Sequence, residues 1–463
     1  MNEALGVHRV PASTAVSAED WVPLRSAEGR DSAYSPARSP EAIPHVVAWN
    51  LTRRCNLACA HCYISAGSWE SDDLELSTEE CMRITDEILA LSPSPMFVLS
   101  GGEPLVRDDL ESIARHATDG GATVVVGTNG IGLTTERISS LKDAGVRGIA
   151  VSVDSLNPAY HDRFRHGGTA LEETLAAVRR LRRARLDFVV QMTLTSGNRG
   201  EVRRLVDWAA SAGAVCFNLY FLVSTGRGER MRGLQPAENE EVLAELADLQ
   251  AEYRGVMLVR SKCQPQIMRH VFEADPESPL LNYATRCPCG VQYCRITPEG
   301  KLTPCPYMPV VAGDLRAGAF ADAWRDSPVF GEIRAGRLNG KCGRCEYRLI
   351  CGGCRARAFA ESGDYLGSDD SCAYEPTGEA EPVLPRLTSY GETVAPELRW
   401  SPEAEARLAG VPSFVRGVVT KRLEEFARRS GESVVTPELM RRVREEMPVD
   451  FSKRIPFFLR GER

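Results

Sequence analysis

Cys55, Cys59 and Cys62 stand at CxxxCxxC spacing in one short loop, Cys55-Asn56-Leu57-Ala58-Cys59-Ala60-His61-Cys62, and no other stretch constrains the chain as tightly. Three thiols so spaced can each ligate one iron of a [4Fe–4S] cluster, leaving the fourth iron open to a substrate or cofactor. A closed cluster or structural zinc site takes four protein ligands, so three in a tight loop point to a centre built for chemistry. A zinc knuckle completed by a distant ligand has the same local spacing. The loop follows an apolar run, His45-Val46-Val47-Ala48-Trp49, that reads as a strand. Ser100-Gly101-Gly102-Glu103-Pro104 likewise follows the apolar run from Met96 to Leu99.

In this order, and each behind a strand, the two motifs resemble the radical S-adenosylmethionine (SAM) enzymes. The resemblance implies a [4Fe–4S] cluster on Cys55, Cys59 and Cys62, with SAM at its open iron and Gly101, Gly102 and Glu103 at the methionyl amine. Glycines there let backbone approach a ligand closely. Thr128-Asn129-Gly130, and Ser152 with Asp154, resemble positions that line the same ligand. His161-Asp162-Arg163-Phe164-Arg165 resembles the segment that sets an arginine near the SAM carboxylate, Arg165 being preferred to Arg163. Asn129-Gly130 would also make a good turn, and surface arginines are ordinarily just solvated. Gln191 and Asn198 are secondary candidates.

The 463 residues suggest about three domains at roughly 150 residues each. Fifteen cysteines would be out of place as disulfides in a reducing compartment, where cysteine clusters hold metal instead, and nine of them crowd between Cys287 and Cys372. A net charge of −7 with scattered cations leaves no footprint for nucleic acid. No apolar run reaches the ~18–20 residues of a membrane span, and the N-terminus lacks a basic-then-apolar signal pattern. The reading is a cytoplasmic protein without a membrane span.

Residues 1–42, rich in Ser, Ala, Pro and charge, read as a disordered leader. Over 43–230, strand-like runs near 46–51, 96–100, 123–128, 148–153, 188–194 and 215–222 alternate with helix patterns near 78–91, 108–117, 134–144, 169–185 and 200–212. Ser77 and Glu80 form a capping box before the first helix. This alternation predicts an α/β fold with a parallel sheet and right-handed crossovers. Six strands fit the partial (β/α)6 TIM-like barrel that the resemblance implies. Chemistry then belongs at the C-terminal strand ends, where Cys55, Gly101, Asn129, Asp154 and Thr225 fall. Residues 231–285 read as a bridging region with a helix near 238–254. In it, Cys263 reads as a lone buried cysteine and His270 as a satisfied histidine.

Between 286 and 375 come Cys287, Cys289, Cys294 and Cys305, then Cys342-Gly-Arg-Cys345, Cys351-Gly-Gly-Cys354 and Cys372. Gly-bounded pairs suit metal loops, and two zinc sites would also account for the count. After a radical SAM barrel the field resembles the SPASM extension, which implies auxiliary [4Fe–4S] clusters. By motif order one would take Cys294, Cys305, Cys354 and either Cys287 or Cys289. The other would take Cys342, Cys345, Cys351 and Cys372. The sequence departs from the usual pattern in its final CxxC pair and in a surplus cysteine at the front, so the partition stays open.

Phe221 to Gly228, Tyr293 to Gly300 and Cys305-Pro306-Tyr307-Met308-Pro309 resemble the radical SAM enzymes of alternative haem and haem d1 biosynthesis, nearest to the haem synthases that decarboxylate iron–coproporphyrin III. Residues 376–395 read as a Pro- and Glu-rich linker. Residues 396–463 read as a helical module, with Ser401-Pro402 and Thr436-Pro437 starting helices and Phe414, Val415, Val418, Val419, Leu423 and Phe426 as core. This module resembles the C-terminal domain of light-independent protochlorophyllide reductase. The likeness implies a tetrapyrrole substrate whose propionates become vinyls through a 5′-deoxyadenosyl radical, with electrons from a low-potential donor such as ferredoxin or flavodoxin. Competing readings are a peptide or protein maturase, removal of acetates from a sirohaem derivative, and a non-catalytic iron–sulfur carrier.

Overall fold

The computed structural model describes residues 42–92, 94–278, 281, 286–378, 380–385 and 394–445. The expected leader up to residue 41 and positions 386–393 of the expected linker lie outside the described residues. The β-branched runs form β1 (Val46–Asn50), β2 (Met96–Ser100), β3 (Thr123–Thr128), β4 (Gly148–Ser152), β5 (Asp187–Leu194) and β6 (Cys216–Phe221), each parallel to the one before it. Between them run α1 (Thr78–Leu91), α2 (Leu110–Asp119), α3 (Thr135–Asp143), α4 (Pro158–Arg165), α5 (Ala170–Ala184) and α6 (Val202–Ala212). Both bonds of the Ser77–Glu80 capping box are present at α1. Helix α4 was not read from the sequence as a helix. Its signal was Asn157, whose side chain accepts from Ala159 N, followed by Pro158 in the first turn.

The sheet does not end with six strands. Beyond α7 (Pro236–Glu252), β7 (Leu258–Lys262) adds parallel to β6. Past α8 (Ile267–Ala274), β8 (Tyr293–Ile296) adds parallel to β1 at the opposite edge. Then β9 (Lys301–Thr303) and β10 (Gly313–Asp314) complete the order β10-β9-β8-β1-β2-β3-β4-β5-β6-β7, and the short helices α9 (Phe320–Asp326), α10 (Pro328–Ala335), α11 (Gly340–Arg344) and α12 (Arg355–Ser362) follow. Residues from both the bridging region and the cysteine-rich region are thus sewn into the same sheet.

Successive strand residues point to opposite faces. Val47, Trp49, Phe97, Leu99, Val126, Val151, Val190 and Phe217 pack outward against helix residues such as Ile84, Ile88, Ile113, Leu141, Leu181 and Leu205. The inward face begins with an apolar floor: Val46, Met96, Val125, Ala150, Val189, Cys216 and Leu258. What closes this floor comes from the other end of the chain. In the C-terminal module, α13 (Pro402–Ala409), α14 (Ser413–Arg429) and α15 (Pro437–Glu445) join a two-strand ladder of β11 (Arg399–Trp400) and β12 (Val434–Val435). Leu423 and Phe426 pack with Trp400, Leu439 and Val443 inside the module. Val411 and Val415, however, face the barrel floor, with Val419 against both cores. Ser413 fixes the contact: its Oγ lies 2.8 Å from His45 Nδ1, and its N–H donates to Ser94 O at 3.0 Å. Helix α14 is therefore two-faced, where its spacing predicted one core; the side chain of Phe414 lies outside the described residues.

Candidate active site

The Cys55–Cys62 loop leaves β1 at its C-terminal end, and its three cysteines pack in one cluster with Leu57, Ile64, Ala66, Tyr63 and Ile131. All fifteen cysteines are free thiols. Leu57 N–H donates to Cys55 Sγ at 3.4 Å, and Ala66 N–H to Cys62 Sγ at 3.3 Å. Burial pushes the Cys55 thiol up to about 12 and also raises Cys59, so these sulfurs ionise only against a compensating cation. The segment after β6 clamps the loop from the far side. Arg227 Nε donates to Cys59 O at 2.8 Å and its Nη1 to Ala66 O at 2.7 Å, while its Nη2 is buried without a partner. Gly226, at φ +56°, runs so close that a Cβ would meet Cys62 O and Tyr63 O at 2.6 Å. As a loop clamp Arg227 has no mark in the sequence, since nothing in its local pattern separates it from neighbouring arginines. His61, stacked on Phe164 at 4.5 Å, is lowered to about 4 by burial and packs as a neutral ring.

Gly101 and Gly102 do let backbone approach closely, but what approaches is the protein's own cysteine loop. Gly102 N–H donates to Thr52 O at 2.7 Å and Glu103 N–H to Arg54 O at 3.0 Å. A Cβ would lie 2.5 Å from Thr52 O at Gly101, which has φ +143°, and 2.2 Å from Arg54 O at Gly102. The motif is a buckle between the β1 and β2 ends. Glu103, 1% exposed, accepts from Leu105 N–H at 3.1 Å, Thr128 Oγ1 at 2.8 Å and Asn129 N–H at 2.8 Å. Burial outweighs these donors and pushes its carboxyl up to about 7. Asn129 Nδ2 in turn donates to Asn56 Oδ1 at 2.7 Å, tying the end of β3 to the cysteine loop.

Arg165, on the last turn of α4, forms a buried ion pair with Asp154 at 2.7 Å. Burial opposes ionisation of Asp154, but the Arg165 guanidinium wins and holds it below the usual carboxylate range. Asp154 also accepts from Thr193 N–H at 2.8 Å. Arg165 lies close enough to Cys59 for its charge to lower that thiol. Ser152 pairs in register with Gln191, so both share the inward face of the sheet. Asn198 is consumed structurally, donating to Asp154 O and Thr193 O at 2.9 Å.

The second cysteine field resolves into two groups, and one expected member joins neither. Cys342, Cys345, Cys351 and Cys372 line a single cavity. Gly352 (φ +67°) and Gly353 (φ +63°) turn the chain there, and a Cβ on Gly353 would come within 3.0 Å of Cys342 Sγ. Gly353 N–H donates to Cys351 Sγ at 3.4 Å. The other group gathers Cys287, Cys289, Cys305 and Cys354, with the Cys287 and Cys289 sulfurs 3.5 Å apart. These two thus belong together, where motif order made them alternatives. Cys263 stands with them: it follows β7 at φ +59° and pairs with Cys354, so it is not the lone cysteine it seemed. Cys294 stands apart from both groups. It pairs in register with Val47, and its side chain is 0% exposed in the outward helix-covered core. Its neighbours Tyr293 and Arg295 take the inward face instead, as strand alternation requires. His270 is satisfied, as read, by Glu240 at 2.7 Å.

Among the described residues no three His, Cys, Asp or Glu side chains converge as they would on a single metal ion. A [4Fe–4S] cluster instead takes one thiolate per iron, and the free thiols with N–H donors at their sulfurs suit that donor set.

The profile described as "Radical SAM superfamily" matches residues 49–209, and that described as "Iron-sulfur cluster-binding domain" (SPASM) matches residues 287–346. The chain is 38% identical over 343 residues to the AdoMet-dependent heme synthase of Methanosarcina barkeri, spanning 72% of this chain and 97% of that protein. The chain belongs to the radical SAM family. This radical SAM protein is an enzyme whose cofactors are a [4Fe–4S] cluster and SAM, and its SPASM region carries auxiliary iron–sulfur clusters. It is also 30% identical over 361 residues to the pre-heme d1 synthase of Dinoroseobacter shibae, spanning 73% of this chain and 88% of that one. Its fold is similar to that of Streptococcus suis SuiB bound to S-adenosylmethionine, with a TM-score of 0.59 at 16% identity over 72% of this chain and 78% of that one. Residues 400–444 match the profile "Proto-chlorophyllide reductase 57 kD subunit". No helix among the described residues is long and apolar enough to cross a membrane.

Proposed function

We propose that the protein is a haem synthase that converts two propionates of iron–coproporphyrin III to vinyls by oxidative decarboxylation. The observation that carries the reading is 38% identity to an AdoMet-dependent heme synthase across nearly all of that relative's length. The site's layout supports it.

In this reading Cys55, Cys59 and Cys62 hold the cluster that binds SAM. Arg227 and the glycine buckle fix the loop, and the sulfurs receive N–H donors from Leu57 and Ala66. Cluster and SAM together supply a 5′-deoxyadenosyl radical when bound. Glu103, held in orientation by Thr128 and Asn129, would take the SAM ammonium. Arg165, steadied by Asp154, would take its carboxylate, and Ser152, on the inward face of β4, would line the ligand. The two outlying thiol groups hold auxiliary clusters. The group of Cys287, Cys289, Cys305 and Cys354, with Cys263 beside it, lies near Tyr293 on the inward face of β8, and a cluster held there would supply an electron acceptor. A low-potential ferredoxin or flavodoxin supplies electrons, and the free thiols suit the reducing cytoplasm.

The test is anaerobic incubation of the reconstituted protein with SAM, a low-potential reductant and iron–coproporphyrin III, read by mass spectrometry. Two successive losses of CO2 with two hydrogens, with deoxyadenosine formed in step, are expected. Deoxyadenosine without porphyrin change would overturn the substrate and redirect the search to sirohaem derivatives and then peptides.

A further inference from the structure

Above the apolar floor, the inward-facing side chains of β1–β8 become polar and cationic. The registers stack Gln191, Asn218 and Arg260 in one tier and Thr193, Tyr220 and Lys262 in the next. From the other end of the parallel ladder, Tyr293 and Arg295 face the same space, paired with inward Val46 and Ala48. None of these strands' inward-facing residues above the floor is Asp or Glu.

Two of the cations have no ion-pair partner among the described residues, the Glu299 charge acting on Arg295 only at longer range. Arg295 is 4% exposed and forms no ion pair among the described residues. Its Nε donates to Asn50 Oδ1 at 2.6 Å, and Asn50 Nδ2 donates to the Tyr63 hydroxyl at 2.8 Å, so the guanidinium is held by neutral groups. Nη1 reaches only Pro306 O, at 3.5 Å. Lys262, on the opposite edge strand, makes neither a side-chain hydrogen bond nor an ion pair among the described residues. Between them lie four tyrosines. The Tyr63 and Tyr307 rings are 5.1 Å apart, and Tyr293 lies within electrostatic range of both Tyr63 and Tyr220. Tyr63 directly follows Cys62, while Tyr293 also neighbours Cys305 and Cys263. The space therefore spans from the SAM loop to the auxiliary thiols.

A buried guanidinium held by neutral groups and a half-buried ammonium with no such partner, beside an aromatic wall, fit a flat aromatic ligand with anionic substituents, since charge-assisted pairing is strong where water is excluded. We propose that Arg295 and Lys262 are specificity-determining residues that grip two peripheral carboxylates of the substrate, while Tyr63, Tyr220, Tyr293 and Tyr307 wall its ring. The inference rests on the porphyrin reading above and deepens it.

The test is anaerobic absorbance titration of the reconstituted holoenzyme with iron–coproporphyrin III and with its tetramethyl ester. The wild type should bind the acid and disfavour the ester. Arg295→Gln and Lys262→Gln should each weaken acid binding by about ten- to a hundredfold and narrow the acid-to-ester ratio. Lys262→Arg, which keeps charge and bulk, should retain most of the affinity. Lys301→Gln, whose ammonium pairs with Asp314 on the outlying β9–β10 ladder, should match the wild type. Iron and sulfide content, unchanged across the set, guards against misfolding. Wild-type affinity in both Gln variants would overturn this inference alone, as would equal loss in Lys262→Arg and Lys262→Gln. A wild type that binds no porphyrin would overturn the substrate reading and this inference with it.

Discussion

Replacing Cys294 by alanine separates the structural partition of the cysteines from the one that motif order favours. Cys294 is fully buried on the outward face of β8, among the sheet-to-helix core. Removing its sulfur leaves a void on the order of 30 Å³, which at about 24 cal/mol per Å3 costs under 1 kcal/mol. With the lost transfer energy of the sulfur, the total is about 1–2 kcal/mol. Iron content should not change. Cys289→Ala, by contrast, removes a thiol from the group that includes Cys287, Cys305 and Cys354 and should lower iron by about four atoms per chain. The assay is anaerobic iron and sulfide quantification on reconstituted protein, beside urea unfolding midpoints. If Cys294→Ala loses as much iron as Cys289→Ala, the argument from strand alternation is wrong.

Three further outcomes follow from the same geometry. Gly102→Ala sets a Cβ 2.2 Å from Arg54 O, and since the obstacle is backbone the cysteine loop must move. Iron should fall by about four atoms and SAM cleavage should be lost; full iron with wild-type cleavage would refute the buckle. Glu103, raised from 4.5 to about 7 by burial, binds its proton more tightly folded than unfolded. It therefore favours the fold below pH 4.5, and that contribution is lost as pH rises towards 7, by on the order of 3 kcal/mol in SAM-free protein. Glu103→Gln should flatten that part of the stability–pH curve, measured by urea midpoints, and an unchanged slope would remove Glu103 as its source. Val415→Asp drives an unpaired carboxylate into the floor formed by Val125, Val189 and Cys216. Thermal unfolding should report a loss of several kcal/mol; near-wild-type stability would mean that α14 does not close the barrel.

The strand–helix alternation was legible because β-branched runs and amphipathic stretches declare themselves locally. The six central strands lie within a residue or two of where their patterns put them. Both motif loops were legible for a related reason: cluster spacing and a glycine pair are short-range signals. Strand β7 was not, since Leu258-Val259-Arg260-Ser261-Lys262 has two apolar residues followed by three polar or charged ones and so neither an apolar run nor an alternation. Its Arg and Lys face an interior that is polar at that level, which no local pattern announces. Missing β7 also hid Cys263, whose position just past a strand end is its only mark.

The glycine buckle carries the same lesson. GGEP by itself says that something comes close, and only the fold reveals that Thr52 and Arg54 carbonyls are what come close. Likewise, helical spacing in α14 marks apolar residues without saying which core they enter, and the chain divides them between its own module and the barrel floor.

Residue type at short spacing was enough for the family, for Cys55, Cys59 and Cys62 as candidate ligands and for the presence of a second cysteine field. Which of the later cysteines come together depends on the fold. A strand's two faces are set by the parity of its register, and one residue of difference turned Cys294 into the core while Tyr293 and Arg295 turned toward the interior.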